Sequence, residues 1–199
     1  MIMKSLLFVS LFAFGTLSFT DPVKEVVSLS VNPEASSVKW TGYKVTGKHW
    51  GTVNVKSGNL DFQNGVLKGG NFAIDMTSIS VDDLTGETKG KLEGHLKSDD
   101  FFGVANYPDA TFVITQAVPR GTPGSYKIVG NITIKGKTKE LRFNAQIDES
   151  GDSYVGKADF QLDRSEFDVR YGSGSFFDNL GDKTIYDDFD MSVTVAVKK

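Results

Sequence analysis

Few residues in this chain could carry reaction chemistry, and their spacing limits what they could do. Of 199 residues two are histidine, His49 and His95, and none is cysteine. There is therefore no thiol nucleophile, no disulfide and no thiolate metal site. His95-x-x-x-Asp99 would put an imidazole and a carboxylate one turn apart if a helix ran through both, an arrangement used for proton transfer. No nucleophile or oxyanion donor stands beside them in sequence, so the pair reads as a helix residue tied to the following turn. His49, followed by Trp50 just before a strand, belongs to no ligand-spaced cluster and reads as a group at one end of a cavity. The third candidate is Arg164 in Asp163-Arg164-Ser165-Glu166, flanked by Phe160 and Phe167. An arginine fork suits the oxygens of a pyrophosphate or quinone head group. It equally suits an ion pair with Asp99, Asp163 or Glu166. The expected set is no catalytic residue, no metal and no cofactor, with His49, His95, Arg164 and Phe167 as mouth or head-group candidates.

The more telling residues are aromatic. Phenylalanine occurs 15 times, spread over the whole chain. Trp40, Phe72, Phe112, Phe143 and Phe160 fall on apolar faces of alternating segments, where they could line an interior tunnel. Phe101 and Phe102 are adjacent in a loop, where a mouth or lid could sit. Apolar, aromatic-lined cavities with few polar groups are what small-molecule sites look like.

The elements that must position these residues are strands. Val38-x-Trp40, Val53-x-Val55, Leu60-x-Phe62, Phe72-x-Ile74-x-Met76 and Phe112-x-Ile114 alternate with polar residues. So do Ile128 to Ile134, Leu141 to Ile147, Tyr154 to Leu162 and Met191 to Val197. This period of two marks half-buried antiparallel strands. Asn64-Gly65 supplies the two positive-φ positions of a type I′ hairpin turn. Gly69-Gly70 inside a strand predicts a bulge. Asp82 to Lys97 breaks the alternation: acids come early and lysines late, as the helix dipole favours. Gly90 and Gly94 predict a short or irregular helix. So many strands with short turns would leave exposed edges in an open sheet, whereas a barrel has none. A two-sheet sandwich is the competing architecture.

The ends and the charge bound the rest. Lys4 followed by an apolar run from Leu6 to Phe14, with Ser18-Phe19-Thr20 at a small-x-small junction, reads as a secretory signal peptide over 1–20. Residues 21–35 read as a linker and 36–199 as the domain. Losing Lys4 takes the net charge from −3 to −4. With no basic block, nucleic acid and anionic membrane surfaces are poor partners, and no stable membrane span is expected after cleavage. The expected location is periplasmic or secreted.

Three segments resemble the YceI-like family of secreted polyisoprenoid-binding proteins. One runs from Gly90 to Phe112 through Gly94-His95-Leu96 and Asn106-Tyr107-Pro108. The second is Tyr126-Lys127-Ile128-Val129-Gly130-Asn131-Ile132-Thr133-Ile134-Lys135-Gly136-Lys137-Thr138-Lys139. The third is Phe160-Gln161-Leu162-Asp163-Arg164-Ser165-Glu166-Phe167. The resemblance extends from about Val38 to Lys198. Many members carry Arg-Asp in the helix where this chain has Leu92-Glu93, so no role of that pair transfers. The loop from Gly172 to Gly181 also looks longer than usual. What the resemblance implies is an all-β, closed antiparallel up-and-down (lipocalin-like) barrel of about eight strands with one short helical insertion. It implies an isoprenoid-like lipid in an apolar tunnel, and a homodimer is compatible with it. The alternatives are a lipid-modifying enzyme using the same cavity and a filled β-domain acting in protein–protein contact.

Overall fold

Four tight turns set the architecture. Asn64 and Gly65, at φ 55° and 74°, close a hairpin between two long strands, and Lys135 and Gly136, at φ 48° and 71°, close another. Both are left-handed positions that glycine and asparagine adopt at little cost. Gly151 sits in a third short turn, and Gly47 opens the strand directly after the fourth. The computed structural model describes residues 25–199, and the expected signal peptide and its cleavage near Thr20 lie outside the described residues.

The strands are β1 (Val27–Ser30), β2 (Ser37–Lys44), β3 (Gly47–Gln63), β4 (Val66–Val81), β5 (Asp109–Pro119), β6 (Ser125–Ile134), β7 (Lys137–Ser150), β8 (Ser153–Asp163) and β9 (Ile185–Lys198). One helix, α1 (Gly86–Lys97), lies between β4 and β5. Every pairing is antiparallel, and β2 through β9 follow one another in space. Val38 facing Val193 joins β9 back to β2, and Val55 facing Ile74 joins β3 to β4. The eight strands therefore close into an up-and-down barrel, which rules out the two-sheet sandwich. The bulge expected at Gly69-Gly70 appears as a register shift where Asp61 faces Gly69 and Phe62 faces Leu67.

The span 21–35, read as linker from sequence, contains structure of its own. β1 pairs with Asn59 to Phe62 of β3, beyond the reach of β2, and Val31 bridges to Val197. A short 3-10 turn over Pro33–Ala35, capped by the Asn32 side chain, joins β1 to β2. The helix starts four residues later than its charge pattern predicts and is regular despite Gly90 and Gly94. Tertiary contacts explain this: Leu96 is buried against the barrel, and Glu93 Oε1 accepts the N–H of Val81 at 3.0 Å.

Candidate functional site

Alternation on each strand sends one set of side chains inward, and those side chains enclose two adjoining apolar chambers. The first, about 150 Å³, is lined by Phe72, Phe112, Phe143 and Phe160 together with aliphatic residues such as Leu60, Leu67, Ile128 and Leu141. The second, about 140 Å³, is lined by Trp40, Phe101, Phe102 and Phe189, with Met76, Ile79 and Leu96. Val38, Ile74, Ile132, Leu162 and Met191 line both, so the chambers follow one another along the barrel axis. Empty apolar cavities of roughly this size stay dry and accept small hydrocarbons. In series they approach the lower end of about 300 Å³ typical of small-molecule sites.

The aromatics of the first chamber touch in sequence. Phe72 and Phe112 lie 6.4 Å apart, Phe112 and Phe143 5.6 Å, and Phe143 and Phe160 4.6 Å. Gly130 makes room for this wall: a Cβ there would fall 2.4 Å from the Phe112 ring and 2.6 Å from the Val113 carbonyl oxygen. On the second chamber the Trp40 ring crosses Gly51, its partner on β3. The indole N–H of Trp40 is buried and has no hydrogen-bond partner among the described residues.

Arg164 lines the second chamber, and four of its five N–H donors are taken by backbone carbonyls. Nε donates to the carbonyl of Tyr186, Nη1 to those of Val169 and Tyr171, and Nη2 to that of Ile185, at 2.9–3.1 Å. Asp187 Oδ1 lies 3.2 Å from Nη2, off hydrogen-bonding geometry, while its Oδ2 accepts from Ser175. Burial pushes the guanidinium below its usual pKa, and Asp187 and then Asp163 counter that push. The salt-bridge partner is thus Asp187, not Asp99 or Glu166. No local pattern signals it, because it lies on the other side of the loop that Arg164 binds. The guanidinium also sits 5.5 Å over the Phe101 ring. Phe167, beside it, is fully buried and lines neither chamber.

The histidines are held apart from the cavity lining. His49 Nδ1 lies 2.7 Å from Asp83 Oδ2, and Asp83 Oδ1 accepts the Trp50 N–H. Burial raises the Asp83 pKa, but the contacts with His49 and the Trp50 N–H outweigh it and leave the carboxyl below its ordinary range. Among the described residues His95 forms no hydrogen bond or ion pair with Asp99, whose side chain accepts from Asn106 and whose carbonyl accepts from Lys135. Its ring stands edge-on to Tyr171 at 4.3 Å and to Phe101 at 5.6 Å, and its Nε2 is buried without a partner among the described residues. Among the described residues, no group of three or more His, Asp or Glu side chains could hold a metal ion, and no helix is long and apolar enough to cross a membrane.

Comparison with known proteins places this geometry. A family model described as the YceI-like domain matches residues 29–197. A UPF0312 protein of Vibrio parahaemolyticus is 28% identical over 137 residues, 64% of this chain and 69% of that protein. The crystal structure of Burkholderia cenocepacia BcnA superposes with a TM-score of 0.65 at 21% identity, covering 83% of this chain and 98% of that one. A polyisoprenoid binding domain from Saccharophagus degradans, implicated in plant cell wall breakdown, superposes with a TM-score of 0.63 at 12% identity, covering 87% and 99%.

Proposed function

The chain belongs to the YceI-like family, and from that premise we propose that it holds a neutral, long-chain lipid of the isoprenoid kind along its barrel axis, as a carrier or store, without a catalytic step. The observation that carries the reading is the pair of apolar chambers joined end to end. A rod-shaped hydrocarbon fits such a space, and each CH₂ group buried contributes roughly 0.8 kcal/mol. The neighbour from Saccharophagus degradans, described as polyisoprenoid-binding, supports the same ligand class.

The buried part of that ligand is neutral. A phosphate or pyrophosphate in the second chamber would need a cation with free donors, and Arg164 is engaged by four backbone carbonyls and Asp187. An unpaired charge in an apolar space is strongly unfavourable. A buried donor on the lining with no partner among the described residues is the Trp40 indole N–H, which suits an oxygen acceptor such as a hydroxyl or carbonyl. In this reading Trp40, Phe72, Phe112, Phe143 and Phe160 contact the chain and Phe101 and Phe102 close its far end. Arg164 and Phe167 hold the closing loop, His49 holds the turn before α1 through Asp83, and His95 packs α1 against Phe101 and Tyr171. Export to the periplasm belongs to the same proposal and is supported by the basic and apolar pattern of residues 1–20.

The test is affinity across geraniol, farnesol and geranylgeraniol, with geranylgeranyl pyrophosphate as the charged counterpart. Affinity should rise with chain length until the chambers are filled, and the alcohol should bind more tightly than the pyrophosphate. Affinity flat with length would favour a filled domain.

A further inference from the structure

The barrel wall is not equally zipped all round. β8 pairs with β9 along its whole length, from Ser153 facing Lys198 to Asp163 facing Asp188. β7 pairs with β6 from Gln146 facing Ser125 down to Lys137 facing Ile134. Between β7 and β8 the ladder stops after Gln146 faces Lys157. From there the facing edges, 137–145 of β7 and 158–163 of β8, have no strand partner on that side among the described residues. The gap is bounded at one end by the five paired positions leading to the Gly151 turn. At the other, the turn over Arg164–Phe167 comes back against β7.

What spans the gap is side chain. If the register of the paired part is carried on, Phe143 faces Phe160, and their rings are stacked 4.6 Å apart. Leu141 and Ala145 on one edge and Ala158 and Leu162 on the other line the first chamber with them. The tunnel's side wall here is therefore apolar contact with no ladder hydrogen bonds behind it. The other shortened ladder, β4–β5, ends differently: near its free end Leu67 N–H donates to the Tyr126 hydroxyl at 3.2 Å, and both residues are buried. Both barrel ends carry packed side chains. α1, Phe101 and the loop held by Arg164 cover one, and a stacked Phe62–Tyr154 pair stands near the other.

We propose that the β7–β8 seam is a lateral doorway through which a neutral long-chain lipid slides into the tunnel, with the Phe143–Phe160 stack as its latch. This rests on the tunnel reading given above. Sideways passage lets a flexible chain enter along its length, whereas passage through an end would require it to thread past packed side chains. Parting one aromatic pair breaks no backbone hydrogen bonds. The free strand edges meet water on the outside, where exposed Arg142, Asn144 and Asp159 discourage pairing with another sheet.

The chain has no cysteine, so a pair introduced on the outer face reports on the seam alone. Asn144→Cys with Asp159→Cys, joined by a bis-maleimide carrying a reducible disulfide, locks it. A control pair, Asp148→Cys with Val155→Cys, bridges a position that is already zipped. Uptake and release of geranylgeraniol, followed by native mass spectrometry, should both slow by roughly tenfold or more in the locked protein, with affinity little changed. Reduction should restore both rates, and the control should be unaffected. Phe160→Leu, which needs no cross-link, should speed uptake and release together. Unchanged rates in the locked protein, or in Phe160→Leu, would overturn the doorway while leaving the tunnel standing. If the unlocked protein takes up no geranylgeraniol, the tunnel reading fails and the doorway falls with it.

Discussion

The two chambers lie in one barrel and are built from the same alternation, but their walls are fixed in different ways. Around the second, polar groups pin each moving part. Arg164 ties the loop after β8 to the start of β9 through two carbonyls of each, Glu93 ties α1 to the end of β4, and Asp83 ties the following turn to His49 and Trp50. Around the first, phenylalanine rings touch one another, and along the unpaired part of the β7–β8 seam the wall is closed, among the described residues, by apolar side chains rather than by a ladder. Hydrogen-bonded closure is directional and costly to leave unmade, whereas apolar contact can shift between arrangements of similar energy. The comparison assigns anchoring to one end of the tunnel and yielding to the other.

The largest expected effect breaks the anchored side. Arg164→Met keeps the volume and removes the charge, leaving the buried carbonyl of Val169, the part-buried ones of Tyr171, Ile185 and Tyr186, and Asp187 without their partner. Loss of one member of a buried charged network costs about 3–5 kcal/mol. Urea unfolding should show a loss of this size, and a loss below about 1 kcal/mol would mean that the loop is held by packing instead.

A smaller loss of stability, with a larger loss of binding, is expected on the yielding side. Phe143→Arg puts a guanidinium into the first chamber, but a long stem beside an unzipped seam can carry its charge out to water. The fold should survive with a cost of about 2 kcal/mol, while affinity for geranylgeraniol falls at least roughly tenfold because the stem occupies the chain's path. Unfolding as severe as that of Arg164→Met would contradict a wall that yields there.

The smallest effect is a pH dependence of the anchor on α1. The Val81 N–H holds the Glu93 carboxyl below its ordinary pKa; burial opposes this and Lys89 assists it. A carboxylate with a lowered folded pKa contributes stability that is full above its unfolded value of about 4.3, and that is lost as pH falls through the folded value. Stability measured across that window should fall less in Glu93→Gln than in the unsubstituted protein. Equal slopes would show that other acids, such as Asp83 and Asp190, account for the dependence.

Strand by strand, much of the fold was legible beforehand because its signals are local. Val38-x-Trp40 and Leu141 to Ile147 carry their buried face in a period of two, and Asn64-Gly65 carries its turn in two positive-φ residues. β1 carries no such signal because Val27–Ser30 is short and mostly exposed, and it becomes a strand only where β3 offers a free edge. Asp83 gave no sign of lying beside His49, since 34 residues separate them and a strand and a turn bring them together.

The sequence by itself therefore determined the class of the protein: antiparallel strands with apolar inner faces, one helical interruption, and the motifs that mark the family. Those features depend on neighbours within a few positions, and local sterics and solvation decide them. The tertiary structure alone decided which donors Arg164 has left, that Asp187 rather than an acid near it in sequence is its counter-charge, and that β7 and β8 part beyond Gln146 and Lys157. Each of these depends on where remote strands end when the barrel closes, and closure is a constraint on the whole sheet that no single segment encodes.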